Sequence, residues 1–595
     1  MSRGLRRLAC LFAAMVMALA GGAGTALAQP PGGAVLRVAV TQEIDSLNPF
    51  VAVFLTSTQV NRLMYEYLTT AGPDNSAQPA LAESWQAAPD KLTWTFRIRE
   101  ANWSDGKPIT AKDVAFTYNQ IMTNDAAKEA NGGAVENYAS VTATDDRTLV
   151  IVTKQPMASI LNSEIPIVPE HIWASQVDRI GTLTNTETFP VVGSGPYVLT
   201  GYQEGQSVTL QANDSYWRGR PKADGVQLVK YENTDAAVQG LRKGDIDLVR
   251  DTTPAQFDSL AGDPNITRNE GRNRRFTELL MNWSNPSGVD GKPFGDGNPA
   301  LKDVRVRRAL HHAIDVNAVV ERIKQGHSEP GYSIIPPVYP DWTFTPAPGQ
   351  RRDFDPEKAK ALLDEAGYRA GPDGKRVGPD GKPLALRLVS STDVATNRQL
   401  ADFMVGWFNQ IGVTLTPTFK SSNQADDDMS AGNFDLAFSG WSVNPDPDPM
   451  LHQQTCSYNA TAQSDSGYCN PEYDRLYAAQ QAELDKPKRQ EIVKQMNSLL
   501  YDDVHAVVLT HDRLLEAYRS DRFTGFVTQP AEGGVITGQT GYWGYYNATP
   551  VATQANTGGG NPAGIIAAVI GGVIVLGLVA FFVVRGRRSS SDERE

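Results

Sequence analysis

Cysteine is nearly missing from this chain, with three in 595 residues, and Cys10 lies in a leader-like N-terminus. That leaves Cys456 and Cys469 and excludes a disulfide-rich scaffold. In an oxidising compartment such a pair closes a local disulfide, whereas two cysteines without adjacent histidines fall short of a zinc ligand set. Positive charge is also scarce: 55 lysines and arginines face 67 acidic residues, a formal charge of −12. Such a surface repels phosphates, and no basic stripe interleaved with aromatics offsets it, so nucleic acid is not expected as a partner. Catalytic signatures are absent too. The stretch GPDGKRVGPDGKPL at 371–384 has no serine or threonine after either Gly-Lys, so it is no phosphate loop, and its Asp-Gly-Lys pieces are turn chemistry. VGSGPY has Val192 where a nucleophile elbow needs glycine. His311 and His312 are adjacent and face different sides of a helix, which suits no zinc site. Neither an enzyme activity nor a cofactor is read from these residues.

What is present reads as a large exported body. At 595 residues the chain exceeds what one core covers, so two or more lobes are expected, and 41% hydrophobic with 21% charged residues is a globular balance. Arg3, Arg6 and Arg7, then an apolar run to Ala20 and the Ala26-Leu27-Ala28 site, mark residues 1–28 as a signal peptide. Gly564 to Val584 is uncharged and long enough to cross a bilayer, and Arg585, Arg587 and Arg588 follow it. The expectation is a single-pass protein of the cell membrane. Its body is extracytoplasmic, residues 548–563 form a flexible linker, 564–584 a transmembrane helix and 585–595 a cytoplasmic tail.

Helical and strand patterns alternate, which indicates α/β lobes. Val60, Leu63, Met64, Tyr67 and Leu68 are spaced as one face of a helix. Asp355, Pro356 and Gly367 bracket another helix as cap, first position and stop. Thr110 and Asp113 form a variant capping box. Strands are expected at 36–40, 207–212, 383–390, 434–441 and 505–510. Trp85, Trp94 and Trp103 recur at a constant interval, which raises the question of a stacking platform. In TWTFRIR, however, Trp94, Phe96 and Ile98 alternate with polar residues, the pattern of a strand with one buried face. The three tryptophans sit in different local structures and are assigned to the fold.

The pieces PALAESW and TWTFRIREANWSDGKPITAKDVAFTY, beginning at Pro79, are followed in order by VVGSGPYVL at 191–199, NDSYWRGRPKADGV at 213–226, LRKGDIDLV at 241–249, DVRVRRALHHAID at 303–315, FDPEKAKALLDEAGY at 354–368 and FDLAFSGW at 434–441. This order resembles the bacterial extracellular solute-binding proteins of family 5, the peptide- and nickel-type receptors of ABC importers. The resemblance implies a two-lobed periplasmic-binding-protein-like α/β fold (type II, cluster C-like) with an extra α/β subdomain. Lobe I would comprise 34–75, 190–275 and 510–547, the extra subdomain 76–189, and lobe II 276–509, with hinge crossings near 270–280 and 505–515. It also implies a small-molecule or peptide ligand, ABC permease and ATPase subunits as partners, and a monomeric body. A ligand sensor using the same fold without transport is the alternative.

In peptide-binding relatives the strand ending in Gly-Trp leads to an aspartate that pairs with the peptide's ammonium. Here Gly440-Trp441 leads to Asn444, an amide without charge, while Asp446 lies two residues on in a proline-stiffened loop. The candidate ligand-binding residues are Trp441, Asn444, Asp446, Trp283, Tyr332 and Arg274. For Trp283 a core role is equally open, and Arg274, with Arg275, could meet an anionic group or bridge the lobes.

Overall fold

The computed structural model describes residues 34–283, 294–394, 396–460 and 466–552. The expected signal peptide and membrane helix lie outside the described residues. Among those residues no helix is long and apolar enough to cross a membrane.

One eleven-stranded sheet runs through the body. Across it the strands follow the order Thr414–Lys420, Ala385–Ser391, Leu436–Ser439, Ile266–Met281, Ala506–Arg519, Leu248–Val249, Val35–Val40, Gly225–Lys230, Ser207–Ala212 and Tyr197–Gln203, while Ser328–Pro330 pairs with Ala506–Arg519. At its centre the two long strands Ile266–Met281 and Ala506–Arg519 pair antiparallel, so both stretches expected as crossings fall largely in one ribbon. On one side of the ribbon a core gathers Leu36, Val38, Leu199, Val208, Leu228 and Tyr542. On the other, Leu279, Leu310, Leu388, Phe408, Leu436 and Val507 form a second core. Phe276, Tyr468, Tyr473, Val493 and Leu500 form a third beside it. Each half thus buries its own apolar faces, and the ribbon is shared between them.

The stretch from Ala82 to Thr153 adds a four-stranded antiparallel sheet in the order Ala82–Ala87, Thr93–Ile98, Thr148–Thr153, Tyr138–Ala143. Trp94, Phe96 and Ile98 are buried as the alternation requires. Trp103 is fully buried and Trp85 half-buried against the same core, so the three tryptophans serve the fold. The helix Ala111–Thr123 begins with the Thr110–Asp113 capping box, and Asp355 caps the helix Pro356–Glu365 by accepting from the Lys358 amide. Cys456 and Cys469 form a disulfide with 4.5 Å between their α-carbons.

Two expectations need correction. Among the described residues the first helix spans Leu55–Met64 and stops before Tyr67 and Leu68. The amides of Ser194 and Gly195 take the Met64 carbonyl, and Ser194 Oγ accepts from the Glu66 amide, so a distant turn outcompetes continuation of the helix. A Cβ on Gly193 would stand 2.3 Å from the Met64 carbonyl oxygen, which is why that turn needs glycine. At the other end, Thr549–Pro550 pairs with Phe523–Thr524, so the folded body continues past residue 547, and residues 548–550, expected in the linker, belong to it.

Candidate functional site

The central ribbon breaks its ladder where a site would be built. Pairing with Ala506–Arg519 stops at Arg272 and resumes at Phe276. The bypassed residues turn instead to the loop after Gly440: the Val443 amide donates to the Arg274 carbonyl, the Phe276 amide donates to the Trp441 carbonyl, and Arg275 bridges Ser442. A bulge of this kind re-aims side chains beside a strand pair. Gly440 permits the approach, because a Cβ there would lie 2.2 Å from the Phe276 carbonyl oxygen.

Next to this junction is a cavity of about 730 Å³ between two separate stretches of chain. One wall comes from the first half of the body, around Met157, Ser159, Asn162 and Glu164, and the other from Asn444, Asp446, Asp448, His452, Tyr458 and Tyr477. The volume falls in the range of small-solute pockets. A smaller niche of about 100 Å³, lined by Asn61, Arg62, Asn131, Glu164, Arg274 and Gln539 among others, shares Glu164 with it. The Arg274 guanidinium donates to Asn444 Oδ1 at 2.7 Å, linking the walls of the two spaces.

Polar contacts close the far edge of the cavity. Asp446 is buried and accepts two hydrogen bonds from the Arg489 guanidinium, at 2.6 and 2.7 Å. It also accepts from Asn162 Nδ2 at 3.1 Å, across the two halves of the body. Asp448 accepts from Ser159 Oγ at 2.9 Å, again across the halves, and from Gln480 Nε2 at 2.6 Å. Gln480 in turn accepts from Arg489 Nε, completing a buried ring of partners. Burial, reinforced by the negative charge of Asp446, pushes the Asp448 carboxyl above the usual carboxylate range. Arg489, Gln480, Ser159 and Asn162 were not found by sequence reasoning. Ser159 and Asn162 lie nearly three hundred residues from their carboxylates, and no local pattern announces them.

The structure gathers Asn444, Asp446 and Arg274 at the two adjoining cavities. Asp446 reaches the wall with its charge already answered by Arg489. Trp441 is 38% exposed, with its backbone engaged at the ribbon. Trp283 is placed elsewhere: its indole donates to the His505 carbonyl, lies under the Arg307 guanidinium and meets Tyr468 edge-on. Tyr332 is not brought to the cleft either. It lines a separate small space with His311 and Asn497, near the Arg351 guanidinium. The sequence around each residue is compatible with either location, because only the third dimension decides which side of the Ala506–Arg519 strand it meets.

Residues 76–462 match the pattern of the bacterial extracellular solute-binding proteins, family 5 (Middle). A Brucella ovis protein, classed by inference as an ABC transporter peptide-binding protein, is 28% identical over 387 residues, 62% of this chain and 66% of that relative. The aligned part thus spans just under two thirds of that relative's length. The dipeptide-binding protein of Escherichia coli is 26% identical over 476 residues, 76% of this chain and 84% of its own. Among solved structures, NikZ from Campylobacter jejuni in complex with Ni(L-His) superposes with a TM-score of 0.71 at 21% identity, covering 87% of this chain and 100% of that one. That likeness assigns the two-domain α/β periplasmic-binding-protein fold.

Proposed function

The chain belongs to the bacterial extracellular solute-binding proteins of family 5, and from that premise we propose that it is the extracytoplasmic receptor of an ABC importer for short peptides. Members of this family are binding proteins, and the chemistry assigned to this one is capture and release without bond making. The observation that supports the reading is the 730 Å³ cavity whose walls come from the two halves of the body and are tied by Ser159–Asp448 and Asn162–Asp446. Rotation of the halves about the central ribbon would open it, and closure over a solute would exclude water and strengthen each polar contact. A permease then reads occupancy as a change of shape. The expected membrane helix would hold the receptor close to its permease and raise the local concentration.

Native mass spectrometry of the purified chain tests this directly. A mixture of short peptides released on denaturation is the expected result. A single non-peptide species, such as a metal complex, would replace the peptide assignment while leaving the receptor in place.

A further inference from the structure

At the seam between the halves, two carboxylates share one cation. Asp446, Asp448 and Arg489 are all buried there. Arg489 commits both terminal nitrogens to Asp446 and its Nε to Gln480. The side chains that bond Asp448 are neutral: Ser159 Oγ at 2.9 Å and Gln480 Nε2 at 2.6 Å. Tyr473 and Tyr477, on the helix Pro471–Ala482, also face Asp448, and burial together with its charge pushes both phenols up, so they stay neutral. With both carboxylates ionised the cluster holds one net negative charge away from water, and a single proton removes it. Among the described partners of Asp448 only Ser159 comes from the first half of the body. It lies in the short turn Ala158–Asn162, which covers the carboxyl from that side. Drawing the halves apart takes this cover away and lets water solvate the ionised form. The burial that raises the Asp448 carboxyl is therefore partly a property of the closed arrangement. A hydroxyl donates to a carboxylate and accepts from a carboxylic acid, so Ser159 can hold Asp448 in either state.

We infer that closure of the halves over a solute is linked to uptake of a proton by Asp448, so that the receptor holds its cargo more tightly in acid than at neutral pH. The inference rests on the closure reading above and adds a control to it. Well below the ordinary carboxylate range Asp448 carries its proton in both arrangements, and well above its raised range in neither. Between those limits only the closed arrangement carries it. Binding is therefore tightest at the acid end of this window. It weakens by up to about tenfold per pH unit as the pH rises, then levels off.

The test titrates a pool of synthetic tri- to pentapeptides, built from alanine, serine, leucine and phenylalanine, into the full-length chain in detergent. Calorimetry is run at steps from about pH 4 to about pH 7, each in two buffers of different ionisation enthalpy, so that the buffer dependence of the heat counts the protons exchanged. The wild type is expected to take up as much as about one proton within the window and to bind more weakly as the pH rises. Asp448→Asn keeps the shape of the side chain without its titration, and it should lose both the uptake and most of the pH dependence. Glu136, Glu164, Asp474 and His452 line the same cavity, and their exchange appears in both chains, so the difference isolates Asp448. Binding by the wild type without proton uptake, or uptake undiminished in Asp448→Asn, overturns the switch alone. If thermal melts show that the variant does not fold, the wild-type proton count decides by itself. Binding of the pool at no pH overturns the peptide reading and the switch with it.

Discussion

Asp446 and Asp448 lie two residues apart in one loop, yet they relate differently to the fold. Asp446 is matched by Arg489 through two short hydrogen bonds, both side chains being about 5% exposed or less. Removing only the cation leaves a buried carboxylate without its partner, so Arg489→Gln should cost about 3–5 kcal/mol in urea unfolding. Adding Asp446→Asn should recover much of that loss. Histidines set the acid limit. Burial pushes His505 and His511 down to about 4 and His311 to about 3. Each stays neutral in the native protein, while the unfolded chain takes up protons below pH 6.5. Their stabilisation is present above pH 6.5 and is lost as the pH falls through that window, by up to about 1.4 kcal/mol per pH unit for each group. His511→Asn should flatten the stability curve between pH 6.5 and about 4 by one proton's slope, measured by urea melts at stepped pH. Asp448 works in the opposite sense, because its raised carboxyl keeps its proton to a higher pH in the folded chain than in the unfolded one. At this scale the sequence disclosed a residue's face but not its partner. Trp94 and Phe96 could be assigned to a core from alternation alone, whereas the match of Asp446 with Arg489 is a tertiary event with no local signature.

The elements were legible where their signals are local. Caps at Thr110 and Asp355 work through atoms three residues away, and both helices begin where those residues place them. The helix ending at Met64 is shorter than its apolar spacing predicts because its terminator is the turn at Gly193–Gly195, far along the chain. The bulge at Asn273–Arg275 was likewise hidden, since it depends on the loop after Gly440 pairing with the ribbon. That dependence is testable. Gly440→Ala would drive a methyl group into the Phe276 backbone, and it should destabilise by about 1–3 kcal/mol and weaken solute binding. Gly406→Ala is the control. It lies in the helix Asn397–Gln410 with nothing within 4 Å of the added carbon, so it should stabilise by up to about 1 kcal/mol. Thermal melts distinguish the two.

At the scale of the whole molecule, the ordered pieces of the sequence pointed to the family, and the family match bears that out. The cleft's position was only partly legible: the Gly-Trp loop led to Asn444, but Trp283 and Tyr332 sit among other partners. On the proposed reading the two halves close over a solute, sealed in part by Ser159–Asp448 and Asn162–Asp446. Replacing Ser159 and Asn162 together by alanine should shift the population toward the open form and weaken peptide binding several-fold, as read by titration calorimetry. The most direct measurement places spin labels at Gln86→Cys in the four-stranded sheet and Gln495→Cys in the helix Lys486–Asp503, both exposed positions, and records the distance between them by pulsed electron resonance. Adding a pool of synthetic tri- to pentapeptides should narrow the distribution and move it to shorter distances. A distribution unchanged by a pool that calorimetry shows to be bound would contradict closure.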